Sequence, residues 1–522
     1  MLVKFTNVGA AGLILDAQSN DLPAGNGVFS WSGGGNIRFK EGYAEKFLGH
    51  SSPHGAPSVV PYGVFFANSA AQTEVYTGLE KIYAVSGNTH TDITRALGNY
   101  TGSADQKWTG CTLSDILILN NGADDPQYWN GNVATKAQAL TAWPANTKAK
   151  VIRSFGGALV ALNVTESGVN YKSMVRVSTV ADPGTLPASW VPTASNDAVR
   201  VEGRLSETPD AIVDGLELGQ QFMIYKEGST YAMRYIGGMD IYGFDRVSVM
   251  SGALGVNCVS EFPGGHAVFS DGDIVINQGV EGPQSIIDQR ARRWLFNNLD
   301  SDNRARSFTV TNLRRNEVWF CFPEVGQSWC NKALVWNYKE NTFGVRDLPN
   351  LAHANAGVIS ASSTDTWDSR SDVWNDADGI WAVDEYSKAT KRVMMASTDN
   401  GLYLADISRS FAGAPMTSYV ERTGLDFKEI GLGPERMKLC RGVRMRVDAA
   451  AGTVIRVYVG SQDDLEDGIN WGAAHEYVVG TDKRIDCLVA GAFLAIKFET
   501  VAQGPWRISQ FELDIEDMGE VF

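Results

Sequence analysis

The sequence lacks the patterns that mark most catalytic, cofactor and metal sites. Its 522 residues include six cysteines without a Cys-x-x-Cys pair and six histidines without the paired spacing of a zinc site. Phosphate-binding glycine loops, the His-Glu-x-x-His helix motif and the Gly-x-Ser-x-Gly elbow are missing as well. The sequence therefore predicts no catalytic residue, no cofactor and no metal ligand, and we expect a protein that is not an enzyme.

The few cysteines and histidines have structural interpretations. The cysteines are expected to be free, buried thiols, and cytoplasmic synthesis fits them better than secretion does. Most histidines stand near Gly, Ser or Asn and are expected in loops. The positions are Cys111, Cys258, Cys321, Cys330, Cys440 and Cys487, and His50, His54, His90, His266, His353 and His475.

Basic charge is also scarce. The chain has 45 Lys and Arg against 60 Asp and Glu, a formal net charge of −15. A protein that holds nucleic acid by neutralising phosphates needs clustered Lys and Arg, so stable DNA binding is not expected. An acidic surface does suit a wall along which a polyanion slides.

Long apolar runs are missing from the N-terminus. The stretch MLVKFTNVGAAGLILDAQ is interrupted by Thr, Asn and Gly and falls short of the roughly twenty apolar residues of a membrane span. We expect neither a signal peptide nor a membrane anchor.

Glycine and aromatic residues are plentiful, with 54 Gly, 14 Trp, 17 Tyr and 22 Phe. They occur in short apolar or alternating runs that are separated by turns rich in Gly, Asp and Asn, a pattern typical of β-hairpins. Clear examples are FMIYKEGSTYAMRY (222–235), AVFSDGDIVIN (267–277), ALVWNYKENTFGVRD (333–347), GIWAVDE (379–385) and GLYLADIS (401–408).

The hairpins start roughly 40 to 60 residues apart, which is near the length of a propeller blade. A chain of hairpins must close on itself or stack, because each one leaves an exposed edge. Radial closure into a propeller of about five to eight blades meets this need, and stacked sandwiches are the rival architecture.

The C-terminal region has a different texture. The segments VRMRVDA, TVIRVYVGS, AFLAIKFET and WRISQFELDIE alternate strictly between apolar and polar residues, so each predicts a strand with one buried face. The predicted fold is all-β: a propeller-like domain over 51–414 and a C-terminal antiparallel β-sandwich over 415–522. Residues 1–50 are expected to contribute strands to the propeller or to a platform.

One segment, 285–307, predicts a short amphipathic helix. Its apolar stripe at helical spacing is Ile287, Ala291, Trp294, Leu295 and Leu299. Its basic residues Arg290, Arg292 and Arg293 are expected to form a solvated face, in preference to a phosphate site.

Two acidic groups invite a functional interpretation that turn chemistry explains better. Asp271 and Asp273 flank a glycine between two predicted strands, where hairpin turns favour Asp. The cluster Asp463, Asp464, Glu466 and Asp467 has Leu465 at a position where a calcium loop needs an oxygen ligand. Both groups are expected in solvated turns or loops.

Aromatic residues could bind sugars, so a propeller-type glycan-binding or glycan-hydrolysing host-recognition protein is the alternative function. The aromatic residues concerned are Trp319, Phe320, Phe322, Trp336, Tyr338 and Phe343. They lie inside predicted strands, and packing in the core is the favoured interpretation.

Several segments resemble the tail nozzle proteins of short-tailed bacteriophages, also called tail tubular protein B or DNA stabilisation proteins. NGVFSWSGGGNIRFKEGYAEKFLGH (26–50) is similar to the N-terminal segment of that family, and its matching residues are Trp31, Ser32, Asn36, Arg38, Phe39, Gly42, Glu45 and Lys46. Segments 173–190, 290–324, 331–349 and 490–519 resemble further family segments in the same order. The usual Gly-Arg before the penultimate strand is Ala490-Gly491 here.

The resemblance implies a structural virion protein without an active site. Family members form a hexameric ring in the viral tail, below the portal and adaptor rings and beside or above fibre, spike or needle proteins. The ring retains packaged DNA and conducts it through its lumen during ejection. The resemblance therefore implies assembly in the host cytoplasm and location in the virion.

Overall fold

The computed structural model of the protein describes residues 1–24, 28–68, 72–279, 282–359, 391–501 and 504–520. These residues form antiparallel strands, one α-helix, α1 (Arg292–Asn298), and short 3₁₀ turns at Ser19–Asp21, Gly238–Asp240, Arg304–Arg306 and Lys428–Ile430. The all-β fold class is confirmed. The predicted run GIWAVDE (379–385) lies outside the described residues.

Five four-stranded antiparallel sheets follow one another along the chain, and each strand pairs with the next. Blade 1 contains Gly63–Asn68, Gln72–Thr77, Ile82–Ser86 and Thr89–Asp92; blade 2 contains Thr109–Leu113, Ile116–Asn120, Gln127–Trp129 and Gln138–Ala139; blade 3 contains Thr147–Phe155, Ala158–Glu166, Val169–Val177 and Val199–Val201; blade 4 contains Ile212–Leu218, Gln221–Lys226, Thr230–Tyr235 and Tyr242–Ser248; blade 5 contains Val259–Phe262, Gly265–Ser270, Asp273–Asn277 and Gln284–Ser285. The first strand of each blade packs against the first strand of the next, so the blades are arranged radially.

Blades 6 and 7 share one strand of 17 residues, Thr342–Val358. Its first half pairs with Cys330–Asn337 and completes blade 6, while its second half pairs with Lys391–Ser397 and starts blade 7. The other strands of blade 6 are Phe308–Asn312 and Glu317–Phe322, and those of blade 7 are Gly401–Ser408 and Gly49–Ser51.

The strand Gly49–Ser51 brings the N-terminal region to the outer edge of blade 7. The second half of the shared strand Thr342–Val358 packs against the first strand of blade 1. At this seam the backbone N–H of Val64 donates to His353 Nδ1 at 3.2 Å. The described residues thus form a closed ring of seven blades.

A β-sandwich lies beside the propeller and contains strands from both ends of the chain. One sheet contains Ile485–Gly491, Arg436–Ala449, Trp506–Glu520, Leu2–Thr6, Tyr43–Lys46 and Ile37–Lys40, and it continues into blade 6 through the pairing of Ile37 with Val345. The other sheet contains Gly33–Gly35, Ser418–Leu425, Phe493–Thr500, Val454–Gln462, Asn470–Trp471 and His475–Val478. The C-terminal region therefore does not form the sandwich alone.

Aromatic side chains from the N-terminal segment fill the core between the two sheets. The rings of Phe29 and Trp31 lie 4.9 Å apart, and Phe5 lies 4.8 Å from Phe511 of the C-terminal strand. Trp31 also meets Phe498 edge-on at 6.1 Å. Because these rings are buried, the N-terminal segment is part of the sandwich core and not an appendage.

The helix is shorter than predicted: α1 contains seven residues, not the whole of 285–307. Gln289 has a left-handed φ of 58°, and Leu299 is extended, so the backbone is not helical on either side. The carboxylate of Asp16 accepts hydrogen bonds from the N–H groups of Arg293 (2.7 Å) and Trp294 (2.8 Å), which fixes the start of the helix. The apolar stripe itself is confirmed, because its members are buried or pack against the core.

The hairpin over 333–347 is confirmed. Asn341 has a φ of 53° in its turn, and its side-chain oxygen accepts a hydrogen bond from the indole of Trp336 at 3.1 Å. Lys339 is exposed, as expected for a solvated turn. Glu340 is half-buried instead, and its carboxylate accepts hydrogen bonds from the N–H of Glu41 at 2.8 and 3.0 Å.

Candidate functional site: the propeller channel and its junction with the sandwich

The inner strands of the propeller surround a cavity of about 300 Å³. Residues from every blade line this cavity, from Phe65 in blade 1 to His353 in blade 7; blade 2 contributes Gly110, which has no side chain. Ligands often bind in central concavities of this kind, so a glycan-binding or hydrolytic site would be expected here. The charged groups of the channel determine which chemistry it can support.

Arg153, on the first strand of blade 3, lies in the wall of the channel. Its guanidinium donates to the two carboxylate oxygens of Asp214 at 3.0 and 2.8 Å, and to Asn257 Oδ1 at 2.9 Å. A further hydrogen bond reaches the carbonyl of Gly110 at 3.2 Å. Burial disfavours the charge of Arg153, but the Asp214 carboxylate raises the pKa of the guanidinium. This network ties blades 2, 3 and 4 to the segment before blade 5.

Lys107 makes a second connection across the ring. It lies in the loop before blade 2, and its ammonium group donates to the carbonyls of Val256 at 2.8 Å and Ser307 at 2.5 Å, just before blades 5 and 6. Burial lowers the pKa of Lys107. The channel is thus held together by side chains that join non-adjacent blades.

The acidic side chains of the cavity are Asp214 and Glu261. Glycosidases of the common type use two carboxyl groups that face the scissile bond, one of them as an acid or nucleophile. Asp214 instead accepts hydrogen bonds from Arg153 and from the N–H of Asn257 at 2.8 Å. These contacts favour a structural role for Asp214.

The other two acidic groups, Asp271 with Asp273 and the cluster 463–467, lie at or beside turns, as expected. Asp271 and Asp273 flank the turn between two strands of blade 5. Asp273 accepts hydrogen bonds from Ser285 Oγ and from Arg292, each at 2.8 Å. The cluster 463–467 follows the strand Val454–Gln462, and among the described residues no three His, Cys, Asp or Glu side chains are grouped as ligands for a metal ion.

The expectation that most histidines lie in loops is wrong. Five lie on strands, and only His54 is in a loop: the strand positions are His50, His90, His266, His353 and His475. Burial lowers the pKa of His266 to about 4, and that of His353 to about 3. His266 lies between the Tyr225 hydroxyl at 2.9 Å and the Glu217 carbonyl at 2.8 Å. These neutral rings serve as hydrogen-bonding core residues.

The core interpretation of the strand aromatics is confirmed. Trp319, Phe320, Phe322 and Phe343 are fully buried, and Trp336 is nearly so. Tyr338 is half-buried and packs beside Phe262 at 5.6 Å. The cysteines are free, and all are buried except Cys111, which is half-buried.

The N-terminal motif lies at the junction between propeller and sandwich. The indole of Trp31 donates to the Val8 carbonyl at 2.6 Å, and Ser32 donates to the Glu421 carbonyl at 3.1 Å. Asn36, with a left-handed φ of 53°, exchanges hydrogen bonds with Asp347 at 2.7 and 2.9 Å. Each polar motif residue here bonds to a distant part of the chain.

Arg38 is the centre of a buried ionic network. Its guanidinium contacts both carboxylate oxygens of Asp406 at 2.9 Å and the carboxylate of Glu317 at 3.3 Å. Arg346 donates to Asp406 at 2.9 Å, and Asn312 does so at 3.2 Å. These five residues are at most 6% exposed. The network joins the sandwich to blades 6 and 7.

Aromatic rings enclose this network. The Arg38 guanidinium lies 4.3 Å from the ring centre of Phe47, and the Arg346 guanidinium lies 4.4 Å from that of Trp319. Burial alone would raise the pKa of Asp406, but the charges of Arg38 and Arg346 hold it well below its usual range. The carboxylate is therefore ionised and fully paired.

Sequence patterns identified Arg38 but not its partners. Asp406 lies 368 residues further along the chain, on a strand whose sequence is otherwise apolar, and Glu317 begins a strand of blade 6. An acidic residue inside an apolar strand run is the one available signal, because buried carboxylates require a cationic partner.

Neither a protein-family model nor a curated protein matches the chain. Among solved structures, the WD40 propeller domain of Doa1 has a TM-score of 0.39 and 10% identity, with 69% of this chain and 98% of that chain covered. YCF48 from Cyanidioschyzon merolae has a TM-score of 0.36 and 9% identity, with 69% and 98% covered. The Pan2 WD40 domain of Neurospora crassa has a TM-score of 0.36 and 7% identity, with 70% and 95% covered. The sheet topology described above, and not these likenesses, is the basis for the propeller assignment.

No helix in the described part of the chain is long and apolar enough to cross a membrane.

Proposed function

We propose that the chain is the subunit of a ring-shaped tail nozzle of a short-tailed bacteriophage. Such a ring extends the portal and adaptor channel, retains packaged DNA and conducts it during ejection. The observation that carries the proposal is the position of the motif 31–46, the part of the sequence that resembles the nozzle family. Its residue Arg38 is buried in the network with Asp406 and Glu317, at the junction of propeller and sandwich.

This position supports a mechanical role for the subunit. A wall under load needs its parts to keep a fixed orientation, and paired buried charges are costly to separate once one partner moves away. Continuous pairing of the sandwich sheet with blade 6, through Ile37 and Val345, adds a second rigid connection. The residues that resemble the nozzle family, 31–46, are thus among those that join the propeller to the sandwich.

DNA would pass beside each subunit and not through its propeller. The channel cavity has a volume of about 300 Å³, and the ion pair of Arg153 and Asp214 is part of its wall. The major groove of B-DNA alone is about 12 Å wide, so a duplex cannot enter such a cavity. The conduit would be the lumen of a ring of several copies.

The charge of the chain suits such a conduit. Duplex DNA carries about one negative charge per 1.7 Å, and each subunit has a formal charge of −15. Repulsion extends only about 8 Å at physiological salt, so it acts where the wall nearly touches the duplex. We therefore propose an acidic or neutral lumen, along which the DNA slides without being held by phosphate contacts.

The implied partners are other copies of the chain, an adaptor ring above and a fibre, spike or needle protein beside or below. A closed ring needs two different complementary faces on each subunit. Each stable contact would bury on the order of 1,500 Å² or more. In this account the location is the virion tail.

Assembly with the adaptor protein of the same virus tests the proposal. The purified chain is mixed with adaptor rings and imaged by negative-stain electron microscopy, with the chain alone as the control. Rings of six copies seated on the adaptor are expected. A monomer that does not seat on the adaptor but binds a defined oligosaccharide on a glycan array would contradict the proposal and favour host recognition.

A further inference from the structure

Two cysteines of the sandwich lie in direct contact. Cys440 is on the strand Arg436–Ala449 and Cys487 is on the neighbouring strand Ile485–Gly491, with their sulfur atoms 3.6 Å apart. Both side chains face the core, with exposures of 0% for Cys440 and 6% for Cys487. Cys487 Sγ is also 3.7 Å from the Cys440 carbonyl oxygen. The geometry therefore pairs two free thiols of distant sequence position.

The other cysteines have different surroundings. Cys258 Sγ donates to the Ser307 carbonyl at 3.0 Å, and Cys330 Sγ donates to the Arg306 carbonyl at 3.3 Å. Burial raises the pKa of Cys258 to about 11, and the pKa of Cys321 is raised well above its ordinary value for the same reason. Within the described residues, Cys440 and Cys487 are the two thiols in hydrogen-bond contact with each other.

The two sulfurs are chemically unequal. The contact with the Cys440 sulfur lowers the pKa of Cys487, burial opposes this shift, and the Arg484 guanidinium adds to it. The same contact raises the pKa of Cys440. Cys487 lies on the end strand of the sheet and is 6% exposed, whereas Cys440 is fully buried on the inner strand. Cys487 is therefore the sulfur that a reagent from solvent reaches first, and its thiolate would be the reactive form.

Access to the pair is from the edge of the sheet. In the described part of the chain, the strand Ile485–Gly491 pairs through its backbone with Arg436–Ala449 only. Leu488 on this strand is 80% exposed, so one side of the strand faces solvent. A peroxide molecule is small enough to reach Cys487 by a local opening of this edge.

We propose that Cys440 and Cys487 are an oxidative modification site, at which a small hydroperoxide converts the two thiols into one disulfide. The Cys487 thiol loses its proton to solvent, and the resulting thiolate attacks one peroxide oxygen. The O–O bond breaks, Cys487 becomes a sulfenic acid, and the hydroxide that leaves takes up a proton from solvent as the first water. The Cys440 sulfur then attacks Cys487 Sγ, the S–O bond breaks, and the released hydroxide takes the Cys440 proton as water. Two thiols are oxidised, and one hydrogen peroxide is reduced to two water molecules.

The sulfurs must approach by about 1.5 Å to reach the disulfide bond length of about 2.0 Å. The disulfide would close a loop of 47 residues and fix the edge strand Ile485–Gly491 to the sheet. Disulfides persist in oxidising surroundings and are rare in the cytoplasm. On the proposed function, the thiols would remain reduced during assembly and become linked after the particle leaves the cell.

Thiol counting on the isolated chain tests the site and does not depend on ring assembly. The folded protein is treated with hydrogen peroxide, unfolded, alkylated and analysed by mass spectrometry. The wild-type chain has six free thiols and should keep four, which are six minus the linked pair. Peptide mapping should recover a linked pair of peptides that contain Cys440 and Cys487. The melting temperature should rise by about 5 °C on oxidation and return on reduction.

Variants separate the two roles. C440A should accumulate a sulfenic acid at Cys487 that dimedone traps, whereas C487A should give no adduct at Cys440. C258A, the matched control in the propeller, should still lose two thiols. Retention of six thiols by the folded wild-type chain, at peroxide doses that oxidise the urea-unfolded chain, would overturn the proposal. Linkage of any other pair would do so as well, and both results can be read without the variants.

Discussion

The strongest stability prediction concerns Asp406 in the buried network. We expect Asp406→Asn to lower the free energy of unfolding by about 3–5 kcal/mol, because the substitution leaves two buried guanidinium groups without their shared anion. Asp406 lies 2.9 Å from Arg38 and 2.9 Å from Arg346, and all three residues are almost completely buried. Loss of one partner from a buried ion pair is far more destabilising than loss of an exposed one.

Asp448→Asn is the matched control. Asp448 pairs with Arg507 at 2.5 Å, but the side chains are 64% and 44% exposed, so its removal should cost at most about 1 kcal/mol. Urea unfolding followed by tryptophan fluorescence measures both variants. An effect of Asp406→Asn within about 0.5 kcal/mol of the control would refute the account of the junction.

The pH dependence provides an independent check on Asp406. Its folded pKa lies below the unfolded value of about 3.9, so its contribution is present above that value and is lost as the pH falls through the folded pKa. The difference between wild type and Asp406→Asn should therefore stay constant from about pH 8 to pH 5 and shrink below about pH 4. A difference that grows on acidification would contradict this assignment.

Three further predictions concern individual residues of the propeller. Joint replacement of Lys339 by Gly and Glu340 by Asn should lower the free energy of unfolding by at most about 1 kcal/mol, because Glu340 accepts only an exposed backbone N–H, that of Glu41. Asn341→Ala should lower it by about 1–2 kcal/mol, because alanine disfavours the left-handed φ of 53° and cannot accept the hydrogen bond from the Trp336 indole; urea unfolding measures both variants. Gly265→Ala should abolish soluble expression or cost several kcal/mol, because its Cβ would lie 2.4 Å from a carbonyl oxygen of the next strand at a φ of 138°. Burial lowers the pKa of His353 to about 3, so between about pH 6.5 and that value the unfolded chain binds one more proton at this residue than the folded chain does. His353 alone should therefore contribute a fall in stability of about 1.4 kcal/mol per pH unit on acidification, and His353→Gln should reduce the total slope in urea titrations by about that amount.

Local patterns in the sequence predicted the local parts of the fold. The turn between Phe222 and Tyr235 joins two strands of blade 4, and the turn between Ala267 and Asn277 joins two strands of blade 5. In the second turn Gly272 has a φ of 80°, which glycine adopts readily. The apolar stripe through Leu295 is also a local pattern, because its residues recur at helical spacing. The length of the helix was not predicted, because the spacing of apolar residues does not show that Gln289 has a left-handed φ.

Strands that pair with residues far away in the sequence could not be predicted from local patterns. The strand Gly33–Gly35 has low strand propensity, yet it pairs with Ser418–Leu425 because the side chains of Glu421 and Tyr419 cover it. A Cβ at Gly33 would lie 2.6 Å from Glu421 Oε1, so a larger residue there would displace the side chain of a residue nearly four hundred positions away. The position of the long strand Thr342–Val358 is likewise set by pairing with a strand of blade 6 along its first half and with a strand of blade 7 along its second half.

The central claim is that the chain forms the wall of a DNA conduit, and a cryo-electron microscopy reconstruction of the virus that contains it tests this claim most directly. The account predicts a ring of six copies below the adaptor, each with its seven-bladed propeller and sandwich, around a lumen whose wall is acidic or neutral. A lumen lined continuously by Lys and Arg, or a chain that lies outside the tail, would contradict the account.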